Sequence, residues 1–397
     1  MNNNPVTIPF LDLKPQFETI RKDIMDAIDR VFVSGQFVGG EWVERFEEQF
    51  ARFVGSRYAI GVGSGTAALE LALKTARIGA GDEVIVPANS FFATAEAVSN
   101  VGARPVFGDV DPMTFHLDIT SVERLITPRT RAVIPVHLYG RIMNMTELQE
   151  LAEEHGLTII EDAAQAHGTE RDGVRVGESG RLTCFSFYPG KNLGAYGDAG
   201  VVTCQDPADA ARLRMLRDHG SPEKYVHVII GTNSRLDAIQ AAVLSVKLHY
   251  LRDWNARRVQ HAMTYATRLQ HTCIQIPEIP AGREHNFHLF VIRMKNRDAL
   301  RLHLQERGIG TGIHYPEPLH LTPAYRDLGY PTQGNLPVSE ALAREVLSLP
   351  MYPELSDSQI EQVSYAVLQF LDQVEAQEVS VAPSGQVDSL QNRTKVA

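Results

Sequence analysis

The sequence predicts an α/β fold: a large domain built on a mostly parallel seven-stranded sheet, followed by a smaller C-terminal α+β domain. Three observations carry this. Seven short apolar runs recur between Tyr58 and Thr203, separated by helix-compatible segments, and such alternation builds parallel strands with helices on both faces. Several of those runs are apolar without polar interleaving, as strands covered on both sides are. A proline-free stretch from Ser234 to about Leu269 then places Leu236, Ile239, Ala242, Val243 and Val246 at helical spacing, which reads as a long connecting helix.

Taken in order, the strands are 58–62, 83–86, 104–107, 132–136, 157–160, 182–187 and 200–203, with helices at 66–74, 93–101 and 144–154 between them. Beyond the connecting helix, 287–294, 309–315 and 346–351 read as strands of the smaller domain. Its last helix opens on a capping box of Ser356 and Gln359 and carries one apolar stripe, Ile360, Val363, Val367, Phe370 and Leu371. The expected division is therefore an N-terminal segment at 1–34, a large domain at 35–250, a small domain at 251–375 and a polar tail at 376–397 that reads as disordered.

A chain of 397 residues is long enough for two domains with full cores, and 44% hydrophobic with 22% charged residues is the balance of a folded globular protein. The net charge of −10, with no local basic patch, opposes binding to a nucleic-acid backbone. Cys184, Cys204 and Cys273 form no CxxC pair and no HExxH occurs, so neither a disulfide framework nor a common zinc site is indicated. Asp109 and Asp111 look like a metal pair but lack clustered ligands and fit a strand-end turn better. No metal is expected. With no basic-then-apolar start and no apolar run long enough to span a bilayer, the expectation is a soluble cytoplasmic protein with no membrane partner.

Gly61-Val62-Gly63-Ser64-Gly65-Thr66 follows a strand and opens a helix, where backbone N–H groups and the helix dipole favour an anion. It is not a GxGxxG dinucleotide loop, because Thr66 stands where the third glycine belongs, and Gly190-Lys191-Asn192 is not a Walker A loop. Alone, the glycines read equally as a tight turn, Asp162 as a cap or solvated turn, Lys191 as a surface charge and Phe91 as core. Position changes the reading. Each of the four follows the C-terminal end of a different predicted strand, the edge at which open α/β sheets bind ligands. A phosphate cradle, an aromatic face, a carboxylate for a pyridine nitrogen and a lysine for a Schiff base together match pyridoxal phosphate (PLP).

Four stretches extend the pattern: Gly63-Ser64-Gly65-Thr66-Ala67-Ala68-Leu69, Glu161-Asp162-Ala163-Ala164-Gln165, Ser186-Phe187-Tyr188-Pro189-Gly190-Lys191-Asn192-Leu193-Gly194 and Gly231-Thr232-Asn233-Ser234-Arg235-Leu236-Asp237. With them the chain resembles the DegT/DnrJ/EryC1/StrS sugar aminotransferases over nearly its whole length, which implies the type I PLP-dependent transferase fold of aspartate aminotransferase. The resemblance implies Lys191 as the Schiff-base lysine and Asp162 as the partner of the pyridine nitrogen. It places Gln165 near the ring hydroxyl, Phe91 on the ring, and Gly65, Thr66 and Ser186 on the phosphate. Asn233 matches a residue that reaches the phosphate from a partner subunit, implying a homodimer with shared active sites. Gly190 and Ala199 depart from the family, which usually has threonine and glycine there, so the shape beside the lysine is open.

The activity implied is transfer of an amino group from an amino acid, glutamate by resemblance, to a nucleotide-linked keto sugar for amino-sugar biosynthesis. Tyr188, Tyr225, His227, His314, Tyr315 and His320 are the candidate substrate contacts. The run from His219 to Asp237 looks more like the branch that aminates C3 of a dTDP- or UDP-linked 3-keto hexose than the branch acting on C4. The alternatives are a sugar dehydratase, whose family members carry histidine in place of Lys191, and a PLP-binding regulator. His137 and His167 read equally as groups near the cofactor and as structural histidines.

Overall fold

The computed structural model describes residues 8–381, apart from 271, 327, 331 and 332. Two helices come first, α1 (Lys14–Ser34) and α2 (Glu41–Val54), each ended by a left-handed glycine, Gly35 and Gly55. The large domain continues as β1 (Tyr58–Val62), α3 (Gly65–Thr75), β2 (Glu83–Pro87), α4 (Ala93–Asn100), β3 (Arg104–Gly108), α5 (Ile119–Leu125), β4 (Thr130–Val133), α6 (Thr146–His155) and β5 (Thr158–Asp162). A two-strand hairpin, β6 (Glu170–Arg171) and β7 (Val174–Arg175), precedes β8 (Leu182–Ser186), β9 (Gly200–Cys204) and α7 (Pro207–Arg217). The long helix α8 (Ala238–Leu269) leads to β10 (Phe290–Arg293), α9 (Arg297–Glu306), α10 (Pro323–Arg326), α11 (Pro337–Glu345), β11 (Val346–Leu349) and α12 (Asp357–Val381).

Seven strands form the main sheet in the order β1-β9-β8-β5-β4-β2-β3. From β8 to β3 every pairing is parallel, while β9 runs antiparallel to both β1 and β8. Apolar cores cover both faces, as the unbroken strand runs require: Val84, Val86, Ala72 and Leu213 pack on one, Phe46, Phe50, Phe185 and Leu244 on the other. The first part of α8 lies in that second core through Leu244 and Leu251, and its end supplies Ala262, Tyr265 and Leu269 to the small-domain core around the antiparallel pair β10 and β11.

Three elements differ from the sequence reading. The fourth strand stops at Val133, because Pro135 cannot donate to a ladder; Val136 meets Asp162 in an isolated bridge instead. Residues 309–315 form no strand, only single bridges from Ile309 to Ile8 and from Gly312 to Ser348. Glycine is required there by close approach, since a Cβ on Gly310 would lie 2.7 Å from the Phe10 backbone nitrogen. Helix α12 runs on to Val381 past the polar turn expected at 376, and the rest of that tail lies outside the described residues. Among the described residues no helix is long and apolar enough to cross a membrane, and no cluster could hold a metal ion. Asp109 caps α11 by accepting from the Val338 and Ser339 amides (3.0 and 2.8 Å), and Asp111 closes a turn onto Met113 and Thr114.

Candidate active site

The loops after β1, β2, β5 and β8 meet at one sheet edge around a cavity of about 550 Å³. Ser64 caps α3 by accepting the Ala67 amide (3.1 Å), and the Gly63 amide donates to Ser234 Oγ (3.2 Å). At the first helical residue a side chain is impossible without movement: a Cβ on Gly65 would sit 2.6 Å from Ser186 Cβ. Glycine thus lets the amino end of α3 press against the end of β8, so that Gly65, Thr66 and Ser186 line the same wall. Free helix-start amides and hydroxyls there make an anion site.

Asp162, at the end of β5, is buried beneath the cavity. Its Oδ2 accepts from Thr94 Oγ1 (2.8 Å) and its Oδ1 from the Ala164 amide (3.1 Å), while Thr94 Oγ1 lies 2.8 Å from Ser90 Oγ. Burial raises the carboxyl pKa above the ordinary value, opposed by those bonds and by the nearby amine of Lys191. Each oxygen keeps acceptor capacity, so a cationic N–H from the cavity would find a ready partner. On the other face of β5, Glu161 is fully buried and accepts from Thr183 Oγ1 (2.9 Å) and from His137 Nε2 (2.8 Å). The tautomer is set, because His137 Nδ1 accepts the Met143 amide (3.1 Å).

Lys191 lies in the cavity wall, its amine held down to about 8 by burial, which outweighs the attraction of Asp162. The histidines around it are neutral: burial lowers His314 to about 4 and His167 to about 3, and puts His288 well below its usual value. Phe91 is 56% exposed, with its ring centroid 5.7 Å from that of Tyr315, so one aromatic face is open to the cavity. Gln165 accepts the Tyr139 amide (2.6 Å) and donates to Tyr315 Oη (3.2 Å). His314 stacks on Phe10 and hydrogen-bonds Ser348 Oγ (2.8 Å), and Tyr188 completes the rim. At the two departures, a Cβ on Gly190 would come within 3.2 Å of Leu11, whereas Ala199 is buried and accepts the Phe187 amide (2.8 Å).

Ten of the sequence-predicted site residues therefore line one cavity: Gly65, Thr66, Phe91, Asp162, Gln165, Ser186, Tyr188, Lys191, His314 and Tyr315. Four do not. His320 is fully buried away from it, with Nε2 3.4 Å from Glu340 Oε1, because the turn that starts at Leu319 directs the ring inward beside Phe107. Tyr225 is 83% exposed, His227 Nδ1 donates to the His219 carbonyl (2.9 Å), and the exposed Asn233 bridges to Asp218 through its backbone; none faces this chain's cavity. Ser90, Thr94, Tyr139, His288 and Cys184, which the sequence reading did not single out, sit at or directly behind it.

Residues 18–368 match the DegT/DnrJ/EryC1/StrS aminotransferase family. The chain belongs to that family. It is 48% identical over 371 residues to the dTDP-3-amino-3,4,6-trideoxy-alpha-D-glucose transaminase of Streptomyces venezuelae, covering 93% of this chain and 97% of the relative. It is 51% identical over 350 residues to the erythromycin biosynthesis sensory transduction protein EryC1 of Saccharopolyspora erythraea, covering 88% and 95%. The crystal structure of S. venezuelae DesV in complex with a ketimine intermediate superposes with a TM-score of 0.90 at 48% identity, covering 93% of this chain and 99% of that one. The fold is thus the type I transferase fold of the family's aminotransferases.

The residues present fit pyridoxal phosphate. Gly65, Thr66 and Ser186 offer an anion cradle that a Cβ at position 65 would fill, Phe91 an uncovered ring, Asp162 a buried carboxylate with acceptor capacity to spare and Lys191 a primary amine in the same cavity.

Proposed function

We propose that this chain is a PLP-dependent aminotransferase that moves an amino group from an amino acid, glutamate, to C3 of a dTDP- or UDP-linked 3-keto hexose, and that it works as a homodimer with shared active sites. The observation that carries the reading is the convergence of Lys191, Asp162, Phe91 and the Gly65–Ser186 contact on one cavity. Bound PLP would supply an electron sink for the carbon that gains or loses the amine. Gly65, Thr66 and Ser186 would hold its phosphate, Asp162 its pyridine nitrogen, Gln165 its ring hydroxyl and Phe91 its face.

The chain's own groups then do the rest. With a pKa of about 8, the Lys191 amine is partly neutral near neutrality, so it can attack a carbonyl and later take up and return a proton. Asp162, gripped at both oxygens by Thr94 and Ala164, presents its carboxyl at a fixed place where a cation must be matched. Neutral His314, His288 and His167 leave Lys191 without a competing cationic neighbour among them. Tyr188, Tyr315 and His314 at the rim are the contacts available to a sugar, by stacking or hydrogen bonds.

Two segments support the dimer. Residues 32–38 and 225–230 leave Phe32, Val33, Phe37, Tyr225, Val228 and Ile230 exposed, the last by 96%, which is more apolar surface than a monomer leaves in water without a use. Tyr225, His227 and Asn233 are on or beside the second segment, and they would act in the partner's cavity rather than their own.

Purified protein supplied with PLP should absorb in the visible, bleach on adding glutamate and recover on adding a 3-keto nucleotide sugar, with NMR placing the new amine at C3. Efficient amination of a 4-keto sugar alone would move the site of transfer to C4. A second reading, to which the name of the Saccharopolyspora relative points, is a regulator. It requires that glutamate bleach the bound cofactor while no keto sugar accepts the amine.

A further inference from the structure

Lys247 is among the largest fully buried side chains of the molecule, 1% exposed, and the chemistry above does not use it. It projects from the middle of α8 and donates through Nζ to the carbonyl of Gly194 (2.7 Å), with its nitrogen 4.2 Å from the centroid of the Tyr196 ring. Burial lowers its pKa to about 7, against a weak pull from Glu354. A buried amine with one hydrogen bond is a poor choice for stability, since an apolar side chain of similar length would pack without the desolvation cost.

What Lys247 touches is the loop that carries Lys191. That loop folds back on itself: the Lys191 amide donates to the Tyr188 carbonyl and the Ala195 amide to the Phe187 carbonyl, each at 2.8 Å. Gly194 closes the turn so tightly that a Cβ there would lie 2.3 Å from the Pro189 oxygen. Helix α8 holds the returning strand of the loop at three places. Gln240 Oε1 accepts the Tyr196 amide (2.9 Å), Lys247 holds Gly194, and Asn255 Oδ1 accepts from Asn192 Nδ2 (2.9 Å). Gln240, Lys247 and Asn255 stand about two helical turns apart and so share one side of α8, with the loop running antiparallel to the helix. Lys247 is the central clamp and the only one of the three that is fully buried.

We propose that Lys247 is a positioning residue for Lys191: by holding the Gly194 carbonyl against α8, it fixes the return of the loop and with it the place of the reactive amine. The inference rests on Lys191 being the amine that the proposed reaction uses.

The test compares the full-length parent, Lys247→Met and Lys247→Arg. In cofactor-free protein, hydrogen exchange of peptides covering 187–198 should quicken about ten-fold in Lys247→Met, while the thermal midpoint stays level or rises. In the PLP-loaded enzyme, kcat should fall by about ten- to a hundred-fold with KM for the keto sugar within about two-fold, the signature of a misplaced reacting group rather than a lost substrate contact. Lys247→Arg, which keeps a cationic donor, should return both exchange and kcat to within about three-fold of the parent. Unchanged exchange in Lys247→Met overturns the proposal. So does unchanged kcat, or failure of both variants to fold, which would make Lys247 a stability residue. A parent that takes up no PLP would defeat the proposed function, and the exchange measurement would still decide whether Lys247 holds the loop.

Discussion

Thr94→Val removes one hydroxyl and nearly nothing else. Thr94 is fully buried, and its Oγ1 donates to Asp162 Oδ2 at 2.8 Å while lying 2.8 Å from Ser90 Oγ. Valine fills the same volume, so no cavity term enters. A hydrogen bond to a charged group contributes about 1.5–3 kcal/mol, and its loss leaves Asp162 with the Ala164 amide as its one remaining donor among the described residues. The sign with pH follows from the direction of the Asp162 shift. Its folded-state pKa is raised above 3.8, so the native state binds the extra proton and Asp162 lowers stability as pH rises through the folded value. Losing Thr94 widens that window. Urea unfolding of the cofactor-free protein should show a loss of about 1.5–3 kcal/mol near pH 7.5 that shrinks toward the ordinary carboxyl pKa. In an Asp162→Ala background the same change should cost clearly less, about 0.5–1.5 kcal/mol, because the hydroxyl then serves only Ser90 Oγ. An equal loss in both backgrounds would refute the assignment of Thr94 to Asp162.

The rate at which cofactor-free protein captures PLP on Lys191 should rise with pH to a midpoint near 8 and then level off; a midpoint near the ordinary lysine value of 10.5 would contradict the burial argument. The same depressed pKa means the native state binds fewer protons than the unfolded chain between about 8 and 10.5, so stability should rise across that window in the parent and less steeply in Lys191→Met, where only the share of Lys247 remains. Gly65→Ala, which sets a methyl 2.6 Å from Ser186 Cβ, should weaken PLP binding by about ten-fold or more in an absorbance titration while a phosphate-free aldehyde loses far less. Mixing Lys191→Ala chains with Asn233→Ala chains should regain at most one intact site per hybrid dimer if Asn233 acts across subunits, and no activity if it acts within its own.

How much of this was legible follows from what each signal depends on. The seven strands were readable because a strand covered on both faces must be apolar throughout, and the ends of β1, β2, β5 and β8 then located the four loops without any knowledge of their contacts. Lys191, Asp162, Phe91 and Gly65 gained their meaning from that shared edge. Thr94 was not legible: in sequence it is one small residue near the start of a helix, and only the placing of the first turn of α4 at the end of β5 brings it to Asp162. The same holds for Lys247, which reads as an ordinary exposed helix lysine until α8 is laid along the 192–196 loop. His320 failed in the opposite direction, since a histidine in a proline-rich turn carries no signal for whether its ring faces the cavity or Glu340. Residues 309–315 misled because their apolar alternation hides two glycines, Gly310 and Gly312, the first of which is there for the approach of Phe10.

Charge gives the remaining step. Among the residues lining the cavity Lys191 is the one cationic side chain, for His288 and His314 are held neutral by burial and Asp162 and Asp198 are acidic. Lys191 faces Asp162, and the proposed reaction spends its amine on a carbonyl, so it is not free to balance phosphate. Yet the proposed ligands carry a phosphate on the cofactor and a diphosphate on the sugar nucleotide, and burying such anions without a counter-charge is expensive. Helix-start amides at Gly65 and Thr66 can meet the first of these demands. The second would be met from outside this wall, and the proposed shared-site dimer offers one candidate: the 219–235 segment carries Lys224, with its ammonium 5.1 Å from the exposed Tyr225 ring, while Arg235 on the same segment is paired with Asp218 at 2.9 Å. A cavity whose one cation is committed to the proposed reaction and an exposed segment bearing an ammonium would be complementary halves in that dimer, which would put the contacts proposed on the segment beside the partner's lysine rather than the chain's own.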